Sequence, residues 1–171
     1  MPLIKDGRAA ADPWITLADG ESLPEGGPVI VTLARWRAER EALIRRGGPL
    51  GLRLKSDQPP ALAADDLGRF ALIALEFPKF TDGRAYSLAR LLRERQGFEG
   101  EVRAVGNVLR DQFLFMHRCG FDAFEVPAPD ADAWIAALNE ITVSYQPASD
   151  DRVPAWRLRH RHAAPAAAQA V

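Results

Sequence analysis

The sequence predicts an α/β protein: an open three-layer sandwich with a mostly parallel five-stranded sheet of the flavodoxin or Rossmann type, an N-terminal flap and a C-terminal arm. Three observations predict it. Short apolar runs alternate five times with longer segments of helical period. The best run, Phe70 to Phe77 (FALIALEF), is nearly continuously apolar, as a central parallel strand covered on both faces must be. Glycine and proline punctuate the junctions, as at Gly47-Gly48-Pro49 and at Gly97.

The elements follow in order. Residues 1–28 form the flap. In it Ile4 to Arg8 reads as a hairpin with Asp6-Gly7 at its tip, and Trp14, Ile15 and Leu17 as a short strand or a cover. The core, residues 29–145, opens on Val29 to Leu33, a β-branched strand, followed by a helix over 34–46. Leu50 to Leu54 is a second strand, followed by a short helix near Leu62 to Leu67. After Phe70–Phe77 comes the clearest helix, Asp82 to Gln96, with Leu88, Leu91 and Leu92 at helical spacing. Glu101 to Gly106 is the fourth strand, Leu109 to Arg118 a helix, Ala123 to Val126 the fifth strand. A last helix runs from Asp130 to about Val143, carrying Trp134, Leu138 and Ile141. Trp36, Trp134 and Trp156 read as packing residues, with no basic groove to make them a stacking platform. Strand order 2-1-3-4-5 is expected, with a partial (β/α) barrel as the competing geometry. Residues 146–171, rich in Pro, Arg, His and Ala, read as a tail or arm.

Composition narrows the function. The 171 residues suit one domain, and 47% apolar content supplies a core. Lys plus Arg total 22 against 23 Asp plus Glu, which argues against nucleic acid as the main partner. The single cysteine excludes an internal disulfide and a multi-cysteine metal site, and fits a reducing cytoplasm. No apolar stretch is long enough for a membrane span. Gly-x-Gly-x-x-Gly and P-loop patterns are missing, and no flavin, nicotinamide or iron–sulfur signature is present.

Ligands of open parallel sheets bind at the carboxyl ends of the strands. That rule selects Thr32 and Arg35; Lys55, Ser56 and Asp57; Glu76 through Arg84; Gly106, Asn107, Arg110 and Asp111; and Glu125. The densest segment is Glu76 to Arg84. Thr81 or Asp82 can cap the helix, Gly83 can admit a ligand close to the backbone, and Lys79 and Arg84 add positive charge. Arg110 can supply a third cation. Lys79, Thr81, Gly83, Arg84 and Arg110 are therefore the candidate anion-binding residues, with Glu76 and Asp82 as acid–base candidates. The same loop also reads as an ordinary helix start, with Asp82 a cap and Arg84 a partner for Glu76 or Asp111. Cys119 lies about 15 Å along its helix from the strand ends, so a packed, inert thiol is expected, and His117 suits the helix C-terminus. No metal site is expected. The basic run Arg157 to His162 reads as a solvated tail, or as a contact for phosphate or an acidic partner.

Blocks between residues 76 and 126 carry a resemblance: Phe77 to Arg84, Tyr86 to Arg90, Glu101 to Gly106, Leu109 to Gln112, and Met116 to Asp122. In that order they resemble a bacterial family of domains of unknown function, family 934, over about residues 29–145. The resemblance implies a place in sulfur assimilation, as an oxidoreductase of sulfite reduction or as an accessory that supports or binds the sirohaem sulfite reductase. A small oxyanion or phosphorylated metabolite bound by an enzyme or sensor is the alternative reading.

Overall fold

The computed structural model describes residues 2–127, 131–150 and 152–162, with side chains through Arg159. The five expected strands all form. They are β4 (Val29–Thr32), β5 (Leu50–Leu54), β6 (Phe70–Phe77), β7 (Glu101–Gly106) and β8 (Ala123–Glu125), and neighbours pair in parallel. Three more strands come from the N-terminal segment. β1 (Leu3–Lys5) and β2 (Arg8–Ala10) make the hairpin, turning at Asp6 and Gly7 with φ of 49° and 71°, the sign a two-residue hairpin turn requires. β3 (Ile15–Thr16) adds in parallel beside β4.

The sheet is thus eight-stranded, in the order β2-β1-β8-β7-β6-β5-β4-β3. This corrects the expected five strands and the 2-1-3-4-5 order. Consecutive strands are neighbours from β3 to β8, and right-handed crossovers in one direction put the helices between them on the same face. That face holds the main core. α1 (Leu33–Arg45), α2 (Arg84–Arg90), α3 (Phe113–Arg118) and α4 (Ala131–Ala137) contribute Trp36, Leu88, Phe113 and Trp134 to it, against Val31, Leu52, Ile73 and Phe124 of the strands. Phe113 meets the Phe124 ring at 4.2 Å and that of Trp134 at 5.6 Å. A three-layer sandwich is therefore not formed.

The opposite face is covered by the chain itself. Ala10 ends β2 at one edge of the sheet, and Ile15 begins β3 at the other. Five residue steps reach at most about 17 Å. In a flat sheet the seven strand spacings between those edges would span about 34 Å. The sheet must curl, and the strap of residues 11–14 runs inside the curl. Trp14 packs on Ile30, Leu72, Ala74 and Val105. A Cβ on Gly51 would meet the Trp14 ring at 3.2 Å and Ile30 at 2.9 Å, so this position keeps space for the strap. Arg103, with no exposed surface, donates to Asp12 of the strap (2.7 and 3.1 Å), to Glu101 (2.7 Å) and to Glu125 (3.3 Å). Lys5 adds a 2.7 Å pair to Glu101.

Helix layers are tied by ion pairs on the outside. The 3₁₀ segment Pro60–Arg69 carries Asp66, which accepts from Arg40 (2.6 and 2.8 Å), Arg69 (3.1 Å) and the Trp36 indole (3.3 Å). Arg40 above all holds the Asp66 carboxyl down, from 3.8 to about 2. A depressed folded pKa means a contribution complete above about pH 4 and lost as pH falls toward 2. Asp66→Asn is expected to lower the melting temperature at pH 7, with the gap to the parent closing between pH 4 and pH 2. Melting curves across that range check it, and a gap independent of pH would refute the linkage.

No helix among the described residues is long and apolar enough to cross a membrane. The arm is not free over its described part. Ser149 donates its N–H to the Arg118 carbonyl (3.0 Å) and its hydroxyl to Glu94 (2.8 Å). Asp150 pairs with Arg118 at 3.2 Å, and Arg152 donates to the Leu138 and Ile141 carbonyls. α5 (Ala155–His162) follows, with Trp156 exposed and the Arg157 guanidinium 5.0 Å over its ring. Trp36 and Trp134 are buried as expected; Trp156 is not. The side chains of His160 to His162, and Asp130 at the expected start of the last helix, lie outside the described residues.

Candidate functional site at the strand carboxyl rim

Because β3 to β8 run the same way, their downstream ends share one rim. A cavity of about 450 Å³ opens there, between the ends of β4, β5 and β6 and the loop that follows β3. Its size is that of an ordinary small-molecule site. Strand register sets its charged side. Thr32 is level with Arg53, Arg53 with Ala74, and Glu76 lies two residues on, so all three face away from the helices. Arg53 Nε donates to Glu76 Oε2 at 3.2 Å, with both side chains partly open to solvent. Lys55 is exposed and forms no ion pair among the described residues, while its backbone N–H donates to the Gln58 amide oxygen at 3.0 Å.

The opposite wall is the loop after β3. Thr32 is the N-cap of α1: its Oγ1 accepts from the Arg35 N–H at 3.1 Å and donates to Asp19 at 2.7 Å. Arg35, only 3% exposed, donates to the Ala18 carbonyl (2.6 Å) and the Glu21 carbonyl, and pairs with Glu39. A buried guanidinium thus stakes the loop to α1. Leu17 and Leu33, both buried, make the apolar part of the cavity. Lys55, Thr32, Arg35 and Glu76 were all selected by the rim rule. Arg53, Asp19, Glu21 and Gln58 were not. The signal for Arg53 was present: a cation at an alternating position of an otherwise apolar strand must have a polar face to look onto.

The Lys79–Arg84 loop is the neighbouring sector of the rim. Asp82 accepts from Arg84 Nε (2.9 Å), a second Arg84 nitrogen (2.7 Å), the Arg84 N–H (3.2 Å) and Ser56 Oγ (2.8 Å). Arg84, first, and then Ser56 hold the Asp82 carboxyl far below the usual range, which keeps it ionised rather than available as an acid. Arg84 finds its partner in Asp82, two residues away, and not in Glu76 or Asp111. Gly83 is the N-cap of α2, and Thr81 makes no capping bond to the helix. Gly83 has φ −84°, and a Cβ there would make ordinary contact with Tyr86, so the position does not require glycine. Lys79 and Thr81 are exposed. Arg110 lines a separate groove of about 130 Å³ with Leu114, Glu140 and Ile141, in which Lys79 and Arg84 take no part.

At the far end of the strands the chemistry is consumed by structure. Cys119 is buried, and burial raises its thiol pKa. His117 Nδ1 donates to the Phe121 carbonyl at 3.2 Å. A hollow of about 460 Å³ there is lined by Arg93, Asp122, Asp150 and Arg152. Its cations are spent: Arg93 donates to the Gly120, Phe98 and Gly100 carbonyls and to Asp122. Among the described residues no three His, Cys, Asp or Glu side chains gather to hold a metal ion.

A family model described as bacterial protein of unknown function (DUF934) matches residues 51–156, more than half of the chain. The chain belongs to the DUF934 family. The DUF934 match takes in β5 from Gly51 onward, β6 to β8, the arm as far as Trp156, and Arg53, Lys55 and Glu76 of the cavity. It leaves outside it β1 to β4 and the Leu17–Glu21 wall. No curated protein matches the chain.

Proposed function

We propose that this DUF934 protein is an accessory of assimilatory sulfite reduction that binds a small oxyanion-bearing ligand at its rim and supports or binds the sirohaem sulfite reductase. The sulfur-assimilation setting comes from the resemblance carried by residues 76–126. The ligand reading rests on one observation: the rim cavity presents Arg53 of β5 and Lys55 just beyond its end, with Lys55 in no ion pair and Arg53 held only through Nε among the described residues. The remaining donors of Arg53 and Lys55 can hold the oxyanion group of a ligand, and hydrogen bonds to charged groups contribute about 1.5–3 kcal/mol each.

Calorimetric titration with sulfite, sulfate and phosphate tests the site. Binding by the parent is expected to weaken tenfold or more in Arg53→Ala and in Lys55→Ala, with Arg84→Ala like the parent. If Arg84→Ala alone abolishes binding, the site is the Lys79–Arg84 loop; if binding survives both rim substitutions, or no ligand bearing an oxyanion group binds the parent, the rim reading fails. Co-purification with sulfite reductase, and growth on sulfate after deletion, test the partner.

A further inference from the structure

We infer that the rim cavity takes a zwitterion, a free α-amino acid, with the carboxylate on Arg53 and Lys55 and the ammonium between Glu76 and Asp19. This deepens the rim reading above and rests on it. A site for a bare oxyanion needs cations and amide donors alone. This cavity is polarised instead. The β5 side carries Arg53 and Lys55; Glu21 of the loop after β3, with one oxygen on the Ala18 N–H (2.9 Å), also lines the cavity, and β6 and the same loop bring Glu76 and Asp19 to the same space. Neither acid is used up. Glu76 engages only Oε2, and Asp19 accepts from the Thr32 hydroxyl only at Oδ1. That leaves Glu76 Oε1 and Asp19 Oδ2 without a partner among the described residues. Arg53 likewise spends Nε on Glu76 and keeps both terminal nitrogens, the pair that grips a carboxylate in two parallel bonds.

A bare anion has these carboxylates against it, whereas an ammonium group on the same ligand turns that repulsion into attraction, so the zwitterion is the tighter ligand. Leu17 and Leu33 offer an apolar wall for a side chain, and about 450 Å³ suits an amino acid. The wall bearing Asp19 is fixed by Arg35 through the Ala18 and Glu21 carbonyls, so the acid is held in place before a ligand arrives.

The twenty free L-amino acids, screened singly by thermal shift and followed by calorimetry on the best, test this. At least one is expected to bind, and both its N-acetyl derivative and its amide are expected to bind tenfold more weakly or worse. Glu76→Gln is expected to lower the preference for the amino acid over its 2-hydroxy acid counterpart by tenfold or more, with the ligand-free melting curve confirming the fold. Inorganic oxyanions binding while no amino acid does would overturn the zwitterion and spare the rim site, as would an N-acetyl derivative that binds as well as its parent. Silence from both ligand classes would remove both readings.

Discussion

Arg103→Met is expected to destabilise the protein by about 3–5 kcal/mol, the usual result of removing one partner from a buried ionic cluster. Arg103 sits mid-strand in β7 with no exposed surface and three carboxylates around it, Asp12, Glu101 and Glu125. Methionine matches much of its length but none of its donors, so Glu101, at 8% exposure, keeps only Lys5. Asp12 loses the bond that fastens the strap across the inner face. Urea unfolding monitored by circular dichroism reads the loss. A double-mutant cycle with Asp12→Asn separates the strap contact from the rest, because residues sharing a cluster couple. A loss under about 1 kcal/mol would mean that water reaches the carboxylates and that the strap is held by Trp14 alone.

Gly106→Ala is expected to cost about 2–4 kcal/mol, from left-handed backbone strain and overpacking together. Gly106 ends β7 at φ +93°, and an added Cβ would lie 2.6 Å from the Phe77 carbonyl oxygen. That oxygen accepts from the Asn107 N–H at 2.8 Å, so a shift to relieve the clash would break the bond that closes β7 against β6. Unfolding curves for the alanine variant check the figure. An alanine that is tolerated would show that the β7 end can relax without disturbing the rim.

Much of this was legible from local pattern. The spans of β5, β6 and β7 are those the apolar runs mark, because a buried parallel strand declares itself residue by residue. The hairpin at Asp6-Gly7 was legible for the same reason: turn chemistry is local. Strand order was not. Nothing in Leu3-Ile4-Lys5 says that it will pair with Ala123–Glu125, since that depends on which edge the finished sheet leaves free. The clue to the inner ion cluster lay in Glu101-Val102-Arg103, where charges alternate with an apolar residue and so require a polar face. Direction along the strands brings Thr32, Lys55 and Glu76 to one rim. The choice of sector turned instead on the density of charge around Arg84. Density could not reveal that Asp82 and Ser56 already occupy Arg84, or that the loop after β3 would wall a neighbouring space.

The pairing of β1 with β8 sets a timetable for a growing polypeptide. Leu3 lies opposite Glu125, so β1 leaves the ribosome about 120 residues before its partner exists. At about 5–20 residues per second that is an interval of about 6–24 s. β4, β5, β6 and β7 can zip together one after another as they emerge, since each binds its predecessor. The amino-terminal hairpin can add only when β8 is complete, and until then the apolar Ile4 is left in water. β1 is translated ahead of the strands beside which it docks, yet joins the sheet after them.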